Sequence, residues 1–204
     1  QKVTARVVSI GNITWGGTGK TPLVAKIAFE LVAFGKKVAI LTRGYGKDEV
    51  AELKKKLPGV PVLVGRDRIR TAREAVEKHG AEILILDDGF QHIRLHRDLD
   101  ILTINSTEPF GPGGLIPAGT LREPMEHLSR ADLFILTKSD IGAKNVHWIT
   151  QKIHEFKPGA VIFEAVHKPL HFWDPLQNKT VCFHEFRVKK EATLSGLADP
   201  HSFE

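Results

Sequence analysis

The sequence predicts an α/β fold in which a doubly wound, mostly parallel sheet carries helices on both faces. Short runs that are apolar at every position alternate along the chain with longer segments of helical spacing. A strand that is apolar on both sides is typical of a parallel sheet covered on each face. The chain has 204 residues, of which 42% are hydrophobic, and this supports a buried core.

The first predicted strand and helix flank a glycine-rich loop. Residues 6–10 (RVVSI) are a β-branched apolar run that stops at Gly11, which is typical of a buried strand. From Pro22 the apolar residues recur with helical spacing; proline is tolerated in a first turn, and Gly35 can end the helix. Further strands are predicted at 38–42, 82–86, 100–104, 133–137 and 161–165, and further helices at 67–79, closed by Gly80, and around 144–156.

Composition narrows the range of compartments and partners. Cys182 is the only cysteine, so an internal disulfide is excluded and a reducing compartment is expected. No run of about 18 apolar residues predicts a membrane-spanning helix. The formal charge of +5 favours an anionic partner such as a phosphorylated ligand, an acidic lipid surface or nucleic acid, although a well-solvated basic surface explains it equally well.

Residues 11–22 (GNITWGGTGKTP) lie between a predicted strand and a predicted helix, as a phosphate-binding loop does. Backbone N–H groups of such a loop point at an anion, and the helix N-terminus adds partial positive charge. Lys20 can reach the β- and γ-phosphates, and the Thr21 hydroxyl can ligate Mg²⁺. The usual pattern has glycine where this chain has Thr14, and the competing interpretation is a glycine-rich turn before an ordinary helix. The architecture is therefore predicted to be P-loop NTPase-like, with the phosphates of a nucleotide bound by Thr14, Trp15, Gly16, Gly17, Thr18, Gly19, Lys20 and Thr21.

Two carboxylates follow a buried strand, at the edge of an open α/β sheet where ligands bind. Asp87 and Asp88 can hold Mg²⁺ opposite Lys20 and Thr21; alternatively they start the turn at Gly89. The basic, imidazole-rich loop that follows suits an anionic substrate, and its residues are Gln91, His92, Arg94, His96 and Arg97.

Two later segments carry weaker signals. The irregular loop 110–124 (FGPGGLIPAGTLREP) is long enough to be functional. In it Arg122 can neutralise phosphate charge and Glu123 can help to hold the metal, unless the two form a simple surface ion pair. Residues 138–140 (KSD) follow a strand where GTP-binding proteins carry a similar Lys-x-Asp that recognises guanine, and this match is short.

Several of these segments together resemble one family, the tetraacyldisaccharide 4′-kinases of lipid A synthesis in Gram-negative bacteria. The family also carries Ser or Thr at the position of Thr14. The segments that carry the resemblance are VSIGNITWGGTGKTPLV (8–24), LTRGYG (41–46), LDDGFQHIRLHRDLDIL (86–102), LIPAGTLREP (115–124), RADLFILTK (130–138) and, more loosely, SGLADPHSF (195–203).

The resemblance implies an ATP-dependent lipid kinase. Such an enzyme moves the γ-phosphate of ATP to the 4′-hydroxyl of tetraacyldisaccharide 1-phosphate and forms lipid IVA, at the cytoplasmic face of the inner membrane and without nucleic acid. The family's general base is the Asp of a Gly-Asp-Glu-Pro motif. Asp48-Glu49 lies at the matching distance but between Lys47 and Val50, and an acidic first helix turn is the alternative.

The expected division of roles combines both arguments. The catalytic set is Asp48 as base with Lys20, Asp87, Asp88, His92 and Arg122; Mg²⁺ is held by Thr21, Asp87, Asp88 and Glu123; and the substrate contacts Arg68, Gln91 and His92.

The resemblance also predicts how the chain is divided. Residues 1–170 are expected to form the nucleotide-binding core, and 171–204 a linker or the start of a smaller domain. Because the chain starts without Met, we expect a fragment. The family's membrane-docking N-terminal helix would then lie outside this chain, and so would the His, late in the family's sequence, that assists the general base. Peripheral membrane contact would be made through the absent parts. The abrupt Gly46–Lys47 junction marks either an omitted loop or a natural shortening.

Two other functions stay open at this point. One is a GTPase or ATPase switch that acts on protein partners, which residues 138–140 favour. The dimeric switches of this class carry a second lysine early in the loop, where this chain has Trp15. The other is a nucleotide-binding module without enzymatic activity.

Overall fold

A seven-stranded sheet is the centre of the fold. The structure, a computed structural model, describes residues 1–44, 47–168, 172–174 and 177–182. The strand order is β3-β2-β4-β1-β5-β6-β7, and every neighbouring pair is parallel. The strands are β1 Arg6–Gly11, β2 Val38–Thr42, β3 Val62–Val64, β4 Ile83–Asp87, β5 Leu99–Asn105, β6 Leu133–Thr137 and β7 Val161–Ala165.

Helices connect these strands. They are α1 Lys20–Ala33, α2 Lys47–Lys56, α3 Arg68–His79 and α4 Ala143–Phe156, with a 3₁₀ helix at Met125–Arg130. A separate antiparallel pair is formed by β8 Phe172–Asp174 and β9 Lys179–Val181. Within the described residues no helix is both long and apolar enough to cross a bilayer.

Both faces of the sheet are covered, because its central strands are apolar on each side. In β4 the side chains of Leu84, Ile85 and Leu86 are all fully buried. Each such side chain contributes about 1.5–3 kcal/mol on burial. Helices α1 and α2 pack on one face, and α3, α4 and the 3₁₀ helix pack on the other. The predicted fold class is confirmed.

The element boundaries follow local signals in the sequence. Helix α3 begins after Asp67, whose carboxylate accepts hydrogen bonds from the backbone N–H groups of Ile69 (3.0 Å) and Arg70 (3.2 Å), and it ends at Gly80 in the left-handed conformation. The strands and helices predicted from the sequence are confirmed with ends shifted by one or two residues. Strand β3 was missed because three residues carry too little periodicity.

Part of the chain's predicted organisation lies beyond what the structure describes. The junction residue Gly46 and residues 195–203 are outside the described ranges. The predicted division at 170/171 stays a prediction.

The strand order positions the site. From β1 the chain passes over β4 to reach β2, and it later crosses β1 again between β4 and β5. The loops after β1, β4 and β5 therefore meet at the carboxyl edge of the sheet, where the strand order reverses, and ligands bind at such a point.

Candidate functional site

The loop between β1 and α1 has the backbone of an anion cradle. Gly19 is the N-cap of α1 in the left-handed conformation (φ 74°), and Gly16 also has a positive φ of 122°. The first turn of α1 holds no acidic side chain that could neutralise the helix terminus. Its free N–H groups and partial positive charge are therefore available to an external anion.

The cradle is fixed from below by two neighbouring strands. The hydroxyl of Thr18 lies 2.9 Å from the hydroxyl of Thr103 on β5. The Thr137 hydroxyl, at the end of β6, donates to the Thr18 carbonyl oxygen at 3.1 Å. These threonines are buried, so water does not compete with the hydrogen bonds that join the loop to the two strands.

Charged side chains from the start of α1 and from two loops meet at the mouth of the cradle. Arg122 forms two parallel hydrogen bonds with the Asp88 carboxylate, at 2.7 and 3.0 Å. The Lys20 ammonium lies 3.6 Å from the same carboxylate and 3.2 Å from the Asn12 amide oxygen. Arg122 also donates to that amide oxygen at 3.1 Å. Residues from three distant parts of the sequence thus form one polar cluster: Asn12 with Lys20, Asp88, and Arg122.

Asn12 is the central residue of this cluster, and the sequence reasoning missed it. Its side chain is fully buried; the amide nitrogen donates to the carbonyl oxygen of Thr14 at 2.7 Å, while the amide oxygen receives the two cations. The Gln91 amide donates to the Asn12 backbone oxygen at 2.8 Å. The signal available in the sequence was an amide side chain directly after a predicted buried strand and before a glycine loop. An amide that is buried at such a position has to satisfy its hydrogen bonds.

The environment pushes the pKa values of the two carboxylates apart. Burial raises the pKa of Asp87 to about 6, and the negative charges of Glu49 and Asp88 act in the same direction, against Lys20 and Arg68. For Asp88 burial also acts to raise the pKa, but the hydrogen bonds from Arg122 and the charge of Lys20 outweigh it and leave the pKa lowered. Asp88 is therefore the firmly ionised member of the pair.

Asp88 also occupies an uncommon backbone conformation, with φ 54°. A non-glycine residue in the left-handed region is infrequent, although Asp tolerates it, and such residues gather at functional sites. The conformation turns the chain sharply after β4 and holds the Asp88 carboxylate toward Lys20 and Arg122.

The oxygen ligands at this edge fit magnesium. Mg²⁺ prefers hard oxygen donors and is usually bound through one or two carboxylates together with substrate phosphates. Asp87 and Asp88 are the carboxylates that could hold the ion, and Thr21, whose hydroxyl could join them, lies in the first turn of α1. In the described residues no cluster of three or more His, Cys, Asp or Glu side chains could hold a metal alone, so phosphate oxygens would have to complete the set.

Beside the cluster lies a basic cavity of about 200 Å³. The pKa of His92 is lowered by burial and by the charges of Arg68 and Arg94, so this imidazole is neutral near pH 7. Arg68 is almost fully buried and donates to the carbonyl oxygens of Gly65 and Asp87. The residues that line the cavity are Arg43, Arg66, Arg68, Asp88, Gln91, His92 and Arg122.

A second set of arginines supports the turn that carries the carboxylates. Arg97 donates to the carbonyl oxygens of Gly89 (3.3 Å) and Phe90 (3.0 Å) and pairs with the buried Asp100 at 3.2 Å. Arg130 donates to the Phe90 carbonyl oxygen and lies over the Phe90 ring, 4.2 Å from its centroid. These contacts hold the backbone between Asp88 and Gln91 from the interior side.

The structure separates Glu123 from its neighbour Arg122. The Glu123 carboxylate pairs with Arg130 at 2.8 Å and with the His127 ring at 2.7 Å. Its contacts are therefore with the arginine that supports the turn, and not with the cluster of Lys20, Asp88 and Arg122. Its predicted role in metal binding stays a prediction.

The predicted base lies at the start of a helix. Asp48 and Glu49 are exposed in the first turn of α2, and the negative charge of Glu49 contributes to the raised pKa of Asp87. Residues 138–140 form a turn after β6 in which Ser139 is buried and Asp140 is exposed. The positions of these residues test neither the predicted role of Asp48 as general base nor the predicted recognition of guanine by residues 138–140.

Comparison with known proteins identifies relatives of this chain. The model of the family described as tetraacyldisaccharide-1-P 4′-kinase matches residues 1–51 and 47–204. A tetraacyldisaccharide 4′-kinase of Anaeromyxobacter sp. (strain K) is 39% identical over 98% of this chain and 58% of its own length. The corresponding protein of Geobacter sulfurreducens is 42% identical over 97% of this chain and 60% of its own length.

A solved structure is also similar. LpxK from Aquifex aeolicus, in a crystal structure described as a complex with ATP, has a TM-score of 0.67 and 35% identity, over 80% of this chain and 55% of that one. The chain spans about three fifths of the length of the curated relatives it matches. The chain therefore belongs to the tetraacyldisaccharide 4′-kinase family.

Proposed function

We propose that this chain forms the nucleotide-binding part of an ATP-dependent kinase. The proposed reaction moves the γ-phosphate of ATP to the 4′-hydroxyl of tetraacyldisaccharide 1-phosphate and forms lipid IVA. The observation that carries the proposal is the cluster of Lys20, Asp88 and Arg122 at the mouth of a preformed phosphate cradle. Family membership supplies the identity of the acceptor.

Phosphoryl transfer needs positioning and charge neutralisation more than covalent chemistry. The backbone amides of residues 16–21 would hold the β- and γ-phosphates, and Lys20 would exchange part of its contact with Asp88 for a phosphate oxygen. Thr21, Asp87 and Asp88 would hold Mg²⁺, which neutralises phosphate charge when bound. Arg122 is already oriented by Asp88 and can stabilise the charge on the transferred group.

The basic cavity suits the anionic acceptor. Arg43 and Arg66 are exposed on its wall, and buried Arg68 adds a fixed positive charge. Neutral His92 and the Gln91 amide can hydrogen-bond sugar hydroxyls without adding charge. Asp48, at the start of the nearby helix α2, is proposed to take the proton from the attacking hydroxyl.

A lipid acceptor also implies a location. We propose that the protein acts as a peripheral protein at the cytoplasmic face of the inner membrane and does not act on nucleic acid. A switch protein acting on partners is the weaker candidate, because the curated relatives cited above are named kinases. Strong GTP selectivity that is lost in Asp140→Ala would favour the switch.

The proposal is tested by a transfer assay with γ-labelled ATP and the disaccharide 1-phosphate in detergent micelles, using this chain and the full-length protein. Lys20→Ala is expected to reduce transfer by about a hundredfold or more. Lys26→Ala is the matched control, since Lys26 lies on the same helix in an exposed pair with Glu30. Transfer that persists in Lys20→Ala would contradict the assigned roles.

The base is tested separately. Asp48→Asn is expected to lower turnover by about a hundredfold while leaving ATP affinity nearly unchanged. Glu52→Gln, one turn further along α2 in an exposed pair with Lys56, is the control. Equal turnover in the parent and Asp48→Asn would remove Asp48 from the mechanism.

A further inference from the structure

Four atoms at the mouth of the phosphate cradle form a closed ring in which donors and acceptors alternate. The Asn12 Oδ1 atom accepts hydrogen bonds from the Lys20 ammonium at 3.2 Å and from Arg122 Nη1 at 3.1 Å. On the opposite side of the ring, Asp88 Oδ1 lies 2.7 Å from Arg122 Nη1 and 3.6 Å from the Lys20 ammonium. Each acceptor therefore contacts both cations. One acceptor is a carboxylate, and the other is a neutral amide.

The orientation of the Asn12 amide is fixed by its partners. Lysine and arginine side chains can only donate, and the Thr14 backbone oxygen, which lies 2.7 Å from Asn12 Nδ2, can only accept. The amide oxygen must therefore face the two cations. Asn12 is fully buried, and its own backbone oxygen accepts a hydrogen bond from the Gln91 amide at 2.8 Å. Turning the side chain away would leave buried polar groups without partners, which is unfavourable.

The neutrality of Asn12 decides how much positive charge the ring keeps. Lys20 and Arg122 carry one positive charge each. They also hold the pKa of Asp88 below its usual range, so this carboxylate carries a full negative charge. With an amide as the second acceptor, the ring keeps one positive charge in excess beside the N-terminus of α1, where an anion is favoured. A carboxylate at position 12 would cancel that charge.

We propose that Asn12 is a positioning residue, whose neutral oxygen holds Lys20 and Arg122 side by side and leaves their positive charge free for the phosphates of the nucleotide. The inference rests on the proposed function and adds a residue outside the catalytic and binding sets named above. Asp88 is one of the carboxylates proposed to hold Mg²⁺, and an oxygen that contacts a metal is less accessible to the cations. The Asn12 oxygen keeps both contacts in that state, so the two cations stay preorganised.

The first test observes the Lys20 ammonium by NMR in this chain, labelled with ¹⁵N-lysine and without nucleotide. Its N–H signal, identified by its loss in Lys20→Ala, is expected to be visible at low temperature because the ring slows proton exchange with water. The signal should persist in Asn12→Asp, which keeps an oxygen for the cations, and broaden beyond detection in Asn12→Ala. Both substitutions remove the donor to the Thr14 oxygen, so a role limited to supporting the loop predicts the same spectrum for both, and that result would overturn the proposal.

The second test measures binding of the β,γ-imido analogue of ATP with Mg²⁺ by calorimetry. Asn12→Asp is expected to bind the analogue at least about tenfold more weakly than the parent, because the added carboxylate cancels the excess charge of the ring. Asn12→Ala keeps both cations, so its affinity should stay within about threefold of the parent, while its turnover in the transfer assay falls at least about tenfold because the cations are no longer held in place. Equal affinities in the two variants, or weaker binding by Asn12→Ala than by Asn12→Asp, would overturn the proposal.

Asn145→Ala is the matched control, because the Asn145 amide on α4 donates to the Ser106 carbonyl oxygen at 2.7 Å, the same distance as the bond from Asn12 to Thr14. This control is expected to keep the Lys20 signal, the affinity and the turnover, and loss of the signal here as well would contradict a specific role of Asn12. Circular dichroism checks folding, and Asn12→Ser, whose short side chain also leaves the cations without their oxygen, replaces Asn12→Ala if that variant does not fold.

The parent protein separates this inference from the proposed function. A parent that binds no analogue would refute the phosphate cradle and, with it, the role of Asn12. A parent that binds the analogue, together with Asn12 variants that match it in the Lys20 signal, in affinity and in turnover, would refute the positioning role alone.

Discussion

Replacing Arg97 by methionine removes the cation that supports the turn between Asp88 and Gln91. The side chains of Arg97 and Asp100 are only 14 and 6% exposed, and their charged atoms lie 3.2 Å apart. Burial raises the pKa of Asp100 to about 6, against the opposing charge of Arg97. At pH 7, one unit above this pKa, protonating Asp100 costs about 1.4 kcal/mol. The variant can neutralise Asp100 in this way, so the loss of the ion pair lowers the free energy of unfolding by no more than that amount.

Two hydrogen bonds are lost as well. Arg97 donates to the carbonyl oxygens of Gly89 and Phe90, and each bond is worth about 1 kcal/mol. The expected loss in the free energy of unfolding is thus about 3 kcal/mol at pH 7 and about 2 kcal/mol at pH 5, where Asp100 is already largely protonated. In an Asp100→Asn background the loss should not depend on pH.

Urea denaturation followed by circular dichroism at pH 5 and pH 7 measures both values. Arg6→Met is the control, because Arg6 makes its 2.9 Å ion pair with Asp98 at an exposed position. The loss there is expected to stay below about 1 kcal/mol. A loss in Arg97→Met no larger than in Arg6→Met, or one that is larger at pH 5 than at pH 7, would refute the reasoning.

Three further predictions follow from single contacts. Gly11→Ala is expected to lower the thermal unfolding temperature strongly, because the new Cβ would lie 2.6 Å from both the Cβ and the backbone nitrogen of Phe90; an unchanged temperature would contradict the packing. As pH rises from about 4 to 6, Asp100 loses its proton in the unfolded chain before it does so in the folded protein. The parent should therefore lose up to about 3 kcal/mol in the free energy of unfolding relative to Asp100→Asn over this range. Parallel pH profiles of the two proteins would disprove this. Arg122→Ala removes the hydrogen bonds that lower the Asp88 pKa, so NMR of the Asp88 carboxyl carbon should show a higher pKa than in the parent. An unchanged pKa would exclude Arg122 as the cause of the lowering.

Local patterns in the sequence were sufficient for the sheet and the cradle. Strand β1, the glycines up to Gly19 and the apolar spacing of α1 lie within about thirty residues, so their signals are local. The Asp87–Asp88 pair could also be assigned to the site from the sequence. It follows a predicted buried strand, and the carboxyl ends of parallel strands lie at one edge of the sheet. Candidate ligands could therefore be assigned to a common site before their distances were known.

Contacts between distant segments could not be predicted in this way. Asn12 and Arg122 are 110 residues apart in sequence, and no periodicity indicates that they share a hydrogen bond. Glu123 shows the same limit: it is adjacent to Arg122, yet it pairs with Arg130 on the other side of the turn. Neighbours in a loop need not point the same way, and only the packed chain decides between them.

The central claim is that the loop at residues 16–21 holds a triphosphate beside the Asp87–Asp88 pair. A crystal structure with Mg²⁺ and the β,γ-imido analogue of ATP tests it most directly. The account predicts β- and γ-phosphate oxygens within hydrogen-bonding distance of the loop amides and of the Lys20 ammonium, with the metal between Thr21 and the carboxylates. A nucleotide bound elsewhere on the protein, or a loop left without phosphate at saturating analogue, would contradict it.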